Sequence, residues 1–460
     1  MRRVLDYLTE NSGQANISFA APGHKNRSAV FDMFRYGDFY ASILKEDLVN
    51  MEAGLVEASE DYYADLYGVE HSEMLTNGVG SGVIAAILSC VPRGGKLILG
   101  RNSKQYSFDA MRFGDIKPVY VRPDFNPKTG LQEGISANEI RIACEDNPDA
   151  SAVLITSPNY YGILSNISEI ADVVHTYGMT LIVDQAEGAH LKFFDAINGT
   201  TTAAEDMGAD IVVNAMDKTL LGMEGTAIVN ICSDRVDMDK FKDLIRMFAT
   251  TQQSNFLLGS LDVNEKILRR QGGEIVRTWM SDLGYVYQQL ESISGVRVIA
   301  NDWLDPTKIN ISLDKLGVSV EKLDKELRNS HIIPDMIHGE YLMLTTGVGN
   351  RREDYVALVK VVKDVAESYA VGDSGEMRKT AIPNFALACE DVPMHKESIP
   401  LYKADGRVVY DPIITYPPGL AVVCPGEVMN MEAISYISRA LSNEETVVGV
   451  DDEGYIFVGE

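Results

Sequence analysis

Short apolar runs alternate with longer amphipathic stretches between about residues 70 and 260. Six of the runs have the length and the β-branched content of buried strands: 96–100, 117–121, 151–156, 180–184, 209–213 and 226–231. Helical periodicity marks three of the stretches between them: 82–91, 137–145 and 167–177. Strands that are apolar throughout and alternate with helices predict a mostly parallel sheet covered on both faces. We therefore expect an α/β fold.

The chain beyond this region predicts further units. Residues 234–290 have no proline and read as long helix. Short strands at VRVIA, INISL and YLMLTT then alternate with helices at 319–329 and 353–370. After a polar linker at 371–384 come a helical pattern, a Pro/Gly-rich stretch at 412–426, a helix near 430–441 and a terminal hairpin-like segment.

These patterns predict four parts of the chain. They are an N-terminal segment over 1–70 that packs on the large domain, a large domain over 71–290, a small α/β domain over 291–371 and a C-terminal α+β extension over 384–460.

Composition narrows the functional class. Asp and Glu exceed Lys and Arg by enough to give a formal charge of −26, which argues against a nucleic-acid binder. The 5 cysteines are dispersed, without a CxxC pair or a metal-ligand spacing, so we expect reduced thiols and no metal. The N-terminus lacks an apolar signal-peptide core and no run is long enough to span a membrane, so a cytoplasmic protein is expected.

A glycine-rich turn at LTNGVGSGVIAAIL (75–88) opens an apolar helix. Unpaired backbone N–H groups at the positive end of a helix can bind an anion, and a phosphate suits them best. The spacing fits neither a Walker A loop nor a dinucleotide loop. A tight turn before a buried helix explains the same pattern equally well.

Two charged residues follow neighbouring predicted strands. The run Leu181–Val183 delivers Asp184 at the carboxyl end of its strand, and IVVNAMDK (211–218) delivers Lys218. Taken singly, Asp184 suits an N-cap and Lys218 a surface strand end. Together with a phosphate-binding turn they suit pyridoxal phosphate, whose aldehyde forms a Schiff base with lysine and whose pyridinium nitrogen pairs with aspartate. His190 has no partner cluster and is expected to be structural.

Six motifs occur in the order found in bacterial ornithine/lysine/arginine decarboxylases: APGHKN (21–26), TNGVGSG (76–82), TSPNYYGI (156–163), DQAEGAH (184–190), DKTL (217–220) and YPPGLAVVCPGE (416–427). The chain resembles the short members of this family, which lack an N-terminal wing domain. These are fold-type-I pyridoxal phosphate enzymes with a seven-stranded, mostly parallel sheet. The resemblance covers nearly the whole chain and implies decarboxylation of arginine, lysine or ornithine by a homodimer or a dimer-based oligomer.

The resemblance assigns residues to the cofactor. It makes Lys218 the Schiff-base lysine, Asp184 the partner of the pyridine nitrogen and Ala186 the residue under the ring. Val79, Gly80 and Ser81 would hold the phosphate. Ser254 would reach the neighbouring subunit's phosphate, and Glu397 and Glu427 match acidic positions of the C-terminal region.

Four positions depart from the family pattern. Lys104 stands where a histidine normally stacks on the ring, unless Gln105 or Tyr106 takes that place, and Glu187 replaces the first histidine of DEAHGAH. Ala215 replaces a phosphate-binding hydroxyl, and Asp217 replaces the histidine beside the lysine, which is suited to proton delivery. An aspartate there is ionised at neutral pH unless its pKa is strongly perturbed.

Three functions fit these residues. The first is decarboxylation of a basic amino acid, with Lys218, Asp184 and Asp217 as catalytic residues and with Lys104 and Glu187 beside the cofactor. The second is another outcome on the same cofactor, such as transamination, elimination or oxidation. The third is a non-catalytic homologue that pairs with an active paralogue. Retention of both Asp184 and Lys218 favours cofactor binding.

Overall fold

The computed structural model describes residues 16–25, 54–248, 253–301, 303–369, 385, 387–392, 395–416 and 419–460. The N-terminal segment contains strand β1 (Ile17–Phe19) and helix α1 (Leu55–Tyr67). Helix α1 ends at Gly68, whose left-handed backbone (φ 67°) is a conformation that glycine adopts without strain.

The large domain is built on one sheet with helices on both faces. Its strands are β2 (His71–Leu75), β3 (Lys96–Gly100), β4 (Lys117–Val121), β5 (Phe125–Asn126), β6 (Leu131–Gln132), β7 (Ala150–Thr156), β8 (Thr180–Asp184), β9 (Ile211–Ala215) and β10 (Ala227–Ile231). Its helices are α2 (Val79–Cys90), α3 (Gln105–Phe113), α4 (Ala137–Asp146), α5 (Ile167–Thr176), α6 (Leu191–Asn198), α7 (Met238–Phe248) and α8 (Asn255–Glu291).

Seven of these strands form the central sheet in the order β2-β10-β9-β8-β7-β3-β4. Every strand runs parallel except β10, which is antiparallel to both of its neighbours. Successive residues of β8 face opposite sides, because Ile182 belongs to one apolar cluster and Leu181 and Val183 to another. The sheet is therefore buried on both faces, and the predicted α/β, mostly parallel, seven-stranded architecture is confirmed.

Most predicted elements of this domain occur within a few residues of their expected bounds. Strand β9 starts at Ile211 rather than at residue 209. The reason is that the Asp210 carboxylate accepts hydrogen bonds from the Leu181 backbone N–H (2.7 Å) and the Ser233 hydroxyl (2.5 Å), which fixes a turn there. The helix predicted over 234–290 is two helices, α7 and α8, and residues 249–252 lie outside the described chain. Strand β2 and helices α3 and α6 were not predicted.

The small domain follows α8. Its elements are β11 (Arg297–Val298), β12 (Lys308–Ser312), α9 (Val320–Asn329), β13 (Ile332–Pro334), β14 (Met336–His338), β15 (Tyr341–Thr345) and α10 (Arg352–Ser368). Four strands pair antiparallel in the order β11-β12-β15-β14. Strand β1 pairs in parallel with β13, whereas α1 contacts β2 and α8. The described N-terminal residues thus touch both domains, and the four domain bounds stay predictions.

The C-terminal part contains β16 (Lys396–Pro400), β17 (Ile413–Tyr416), β18 (Leu420–Val423), α11 (Met431–Ser442), β19 (Thr446–Val448) and β20 (Tyr455–Gly459). The predicted terminal hairpin is wrong, because β19 pairs with β17 and β20 pairs with β16. The predicted linker at 371–384 lies outside the described residues. Among the helices that the structure describes, none is long and apolar enough to cross a membrane.

Candidate active site

Asp184 and Lys218 lie at the carboxyl ends of two adjacent parallel strands. Asp184 is the last residue of β8 and is 1% exposed, and it pairs in register with Val213 of β9. Lys218 follows the end of β9 by three residues. The two side chains lie at the same edge of the sheet, because Glu187, three residues beyond Asp184, contacts the Lys218 amine.

Asp184 is held by two hydrogen bonds. The backbone N–H of Ala186, which is buried, donates to Oδ1 (3.1 Å), and the Tyr106 hydroxyl donates to Oδ2 (2.5 Å). The Tyr106 ring packs against the first turn of α2, where a Cβ added to Gly80 would lie 3.3 Å from the ring. Tyr106 therefore joins the aspartate to the glycine-rich turn. A carboxylate has about four acceptor sites, so Asp184 can take a further donor.

Glu187 is the meeting point of three lysines. Its Oε1 accepts hydrogen bonds from the ammonium groups of Lys218 and, at 3.4 Å, of Lys104. Its Oε2 accepts a hydrogen bond of 2.7 Å from Lys308 in the small domain. Two of the positions that depart from the family pattern, 104 and 187, thus form an ion pair with each other.

The charges in this cluster determine its protonation. Burial alone raises the pKa of Glu187, but Lys218, Lys308 and Lys104 outweigh it and hold that pKa well below its usual range. Burial lowers the pKa of Lys218, and the Glu187 carboxylate more than reverses this effect, so that pKa lies above its ordinary value. Burial, and then the charge of Lys218, lower the pKa of Lys104. At neutral pH, Glu187 is ionised and Lys218 is an ammonium ion.

The glycine-rich turn has the shape of an anion site. Gly78 precedes α2 with φ 88°, a backbone conformation that favours glycine, and its N–H donates to the Gly225 carbonyl (2.8 Å). Helix α2 has no side-chain cap at its N-terminus. The Ser81 hydroxyl contacts Asn77 Oδ1 (2.8 Å) and the Gly78 carbonyl (2.9 Å). The assignment of Val79, Gly80 and Ser81 to a phosphate stays a prediction supported by this geometry.

Asp217 belongs to the turn that carries the lysine. Its Oδ2 accepts the Gly225 backbone N–H (2.9 Å), and its carbonyl accepts the Gly23 N–H (2.7 Å). Gly23 lies so close to this turn that a Cβ would be 2.4 Å from the Thr219 carbonyl carbon, which explains the glycine of APGHKN. Burial raises the pKa of Asp217. Its catalytic role stays a prediction.

Other predicted residues lie elsewhere. Ser254 precedes α8, and its contact with a neighbouring subunit stays a prediction. Glu427 is buried in a two-bond pair with Arg101 (2.7 and 2.8 Å) and also accepts the Cys424 N–H (2.7 Å), so its carboxylate joins the C-terminal part to the large domain. Glu397 pairs at the surface with Arg407.

His190 is structural, as the sequence indicates. It is fully buried, and its ring nitrogens contact Thr219 Oγ1 (3.1 Å) and Asp305 Oδ1 (2.9 Å). All five cysteines are free, and in the described part of the chain no group of three or more His, Cys, Asp and Glu residues is arranged to hold a metal.

Lys308 is the site residue that sequence reasoning missed. It is 3% exposed and donates to Glu187 and to Thr345 Oγ1 (2.9 Å), with its ammonium 5.1 Å from the centre of the Tyr160 ring. The sequence feature that could have indicated Lys308 is its position directly before the apolar run INISL. A buried lysine needs a carboxylate partner, but the partner lies in the other domain and its identity is not visible along the sequence.

Comparison with known proteins places this site in a family. The family model for the major domain of Orn/Lys/Arg decarboxylases matches residues 4–299, and the model for their C-terminal domain matches residues 377–453. The chain belongs to the Orn/Lys/Arg decarboxylase family. It is 27% identical to an arginine decarboxylase of Bacillus subtilis over 97% of this chain and 94% of that protein.

Solved structures of other proteins have the same fold as this chain. The constitutive lysine decarboxylase of Escherichia coli superposes with a TM-score of 0.74 at 18% identity, over 99% of this chain and 81% of that chain. A pyridoxamine-pyruvate aminotransferase of Mesorhizobium loti superposes with a TM-score of 0.60 at 18% identity, over 79% of this chain and 94% of that chain. The fold is that of fold-type-I enzymes.

The cofactor of the Orn/Lys/Arg decarboxylase family is pyridoxal phosphate, and the residues of this site fit it. Lys218 presents an amine in the same crevice as Asp184, which has acceptor capacity left for a ring nitrogen. The uncapped N-terminus of α2 provides backbone N–H groups for a phosphate. Each of the three groups that this cofactor needs is thus present.

Proposed function

We propose that this protein is a pyridoxal phosphate-dependent decarboxylase of a basic amino acid, namely arginine, lysine or ornithine. The observation that carries the proposal is the placement of Lys218 and Asp184 at the carboxyl ends of the adjacent parallel strands β9 and β8, where Glu187 contacts the Lys218 amine. Relatives named arginine decarboxylase and lysine decarboxylase, aligned over most of the chain, support this class of substrate.

Lys218 would hold the cofactor between turnovers, and the bound cofactor would supply a cationic ring that accepts the electron pair released when the substrate carboxylate leaves. Asp184 keeps the proton on the ring nitrogen, because a buried carboxylate favours the cationic partner beside it. Ala186 would pack against the face of the ring, and Lys104 and Glu187 would lie beside the cofactor. Asp217, a predicted catalytic residue, stands where the family pattern has a histidine suited to returning a proton to the carbon.

The remaining assignments concern phosphate and assembly. Val79, Gly80 and Ser81 hold the phosphate through the first turn of α2, and the partner subunit's Ser254 contacts the same phosphate in a homodimer. Free cysteines agree with a cytoplasmic enzyme.

Release of labelled carbon dioxide from arginine, lysine and ornithine, each labelled in the carboxyl carbon, tests the proposal. We expect release from one of the three substrates in the wild type and none in Lys218→Ala. Asp184→Asn should bind cofactor and lose activity by at least about 100-fold, the effect of removing one electrostatic group. Absence of release from all three substrates by a cofactor-loaded protein would contradict the proposal.

A second outcome on the same cofactor is favoured by one observation. The ammonium groups of Lys104 and Lys308 both lie at Glu187, beside the attachment lysine. Cations near a substrate carboxylate stabilise it before the reaction and thereby oppose its loss. Keto acid, ammonia or peroxide appearing in place of carbon dioxide would identify transamination, elimination or oxidation.

A further inference from the structure

Glu187 stands where the family pattern has a histidine, and its contacts in this chain are those of a carboxylate. Its carboxylate is 3% exposed and contacts the Lys218 amine directly. The opposite oxygen is fixed by Lys308, which is itself held by the Thr345 hydroxyl. Because one end of the carboxylate is anchored in the small domain, the other end is presented to Lys218 in a defined place.

We propose that Glu187 is a positioning residue that holds Lys218 as an ammonium ion whenever the lysine is free of cofactor, so that Lys218 returns the proton in decarboxylation. This inference rests on the proposed function. When carbon dioxide leaves, the electron pair remaining on carbon takes a proton from Lys218 Nζ. The lysine is left as the neutral amine that reattaches to the cofactor and displaces the product amine.

The contacts favour Lys218 over Asp217 as the proton source. Lys218 Nζ bonds directly to Glu187, whereas the Asp217 carboxylate accepts a backbone N–H in its own turn. Positions 187 and 217 both hold histidine in the family pattern. The carboxylate at 187 thus keeps on the lysine a proton of the kind that a histidine at 217 no longer provides.

The groups that face the Lys218 amine have mixed charge. Asp184 ends β8 and Glu187 follows it, Lys104 precedes α3, Asp217 is in the same turn as Lys218, and Lys308 reaches the cluster from β12. Glu187 and Asp184 raise the pKa of Lys218, and Glu187 makes the larger contribution. Neutralising Glu187 therefore removes the main group that keeps the proton on Lys218.

Loading of the apoprotein with pyridoxal phosphate tests this inference without measuring turnover. The neutral amine adds to the aldehyde carbon and water leaves, so loading is slow wherever Lys218 is an ammonium ion. Growth of the visible absorbance band is followed from pH 6 to pH 10 in the wild type, Glu187→Gln, Glu187→Asp and Lys308→Met. Asp149→Asn, which removes the partner of Lys96 at the surface, is the matched control.

In the wild type, loading should accelerate steadily with pH. A neighbouring opposite charge changes a pKa by about 1–3 units, so Glu187→Gln should load at least about tenfold faster at pH 7. Glu187→Asp should restore slow loading. Lys308→Met keeps the Glu187 carboxylate beside Lys218 and should load no faster than the wild type. Faster loading in Glu187→Gln alone would therefore result from the lost negative charge and not from the lost contact with the small domain.

One double variant covers the case in which Glu187→Gln does not fold. Glu187→Gln combined with Lys308→Met removes one negative and one positive charge, and it should also load at least about tenfold faster at pH 7. The inference is overturned if the Gln variants load with the wild-type pH profile, or if Lys308→Met accelerates loading as much as Glu187→Gln. No band in any variant at any pH would instead overturn the proposed function.

Discussion

Glu427→Gln separates a structural role of this residue from a substrate role. The side chains of Arg101 and Glu427 are 5% and 2% exposed and share two hydrogen bonds, and Arg101 also donates to the Val422 carbonyl (2.7 Å). Removing one charge of a buried pair costs about 3–5 kcal/mol, because the other charge stays buried. We expect the free energy required to separate the C-terminal part from the large domain to decrease by this amount.

Hydrogen exchange measures this opening locally. The two tryptophans lie at 279 and 303, outside the C-terminal part, so their fluorescence does not report on it. In Glu427→Gln, a loss of about 3 kcal/mol corresponds to amide exchange in Leu420–Val423 about 100-fold faster than in the wild type. Glu397→Gln is the matched control, because its ion pair with Arg407 is at the surface and is worth less than about 1 kcal/mol.

Two results would refute this reasoning. One is exchange in Glu427→Gln no faster than in Glu397→Gln. The other is unchanged exchange with an altered KM for the substrate, which would assign Glu427 to substrate binding. Replacing Arg101 and Glu427 together by apolar residues should recover much of the lost protection, since no unpaired charge then stays buried.

Three further predictions concern single polar side chains. Tyr106→Phe removes a hydrogen-bond donor to Asp184 in the apoprotein, so pyridoxal phosphate should bind up to about tenfold more tightly. Titration of the apoprotein with the cofactor measures this affinity, and unchanged or weaker binding would contradict the prediction. Burial lowers the pKa of His338 to about 4. Between about pH 6.5 and pH 4 only the unfolded chain takes up this proton, so the free energy of unfolding decreases as the pH is lowered. His338→Gln should remove about 3 kcal/mol of that fall in urea unfolding, and an unchanged slope would refute the assignment. Asp217→Asn keeps the Gly225 hydrogen bond and should keep carbon dioxide release within about tenfold, whereas a loss of about 100-fold or more would make Asp217 the proton donor.

Local patterns were sufficient for six of the seven strands of the central sheet and for two residues of the site. Apolar runs of strand length have one stable solution when helices separate them, and parallel strands place their carboxyl ends at one edge. That geometry brings Asp184 and Lys218 together without knowledge of any other contact. The terminal strands β19 and β20 do not form the predicted hairpin, because each pairs with a strand distant in sequence, β19 with β17 and β20 with β16.

The Glu187 cluster lay beyond sequence reasoning. Lys104, Glu187 and Lys308 come from three separate segments, and only the docking of the small domain on the large domain brings the last of them to the carboxylate. Considered singly, Lys104 and Glu187 are two unfavourable substitutions. In space they form an ion pair, which is a compensation that no local pattern expresses.

Reduction with borohydride followed by peptide mass mapping tests the central claim most directly. We expect a pyridoxyl group on Lys218 alone, with loss of the visible band in the wild type and no band in Lys218→Ala. A pyridoxyl group on Lys104 or Lys308 instead, or a protein that takes up no cofactor, would contradict it.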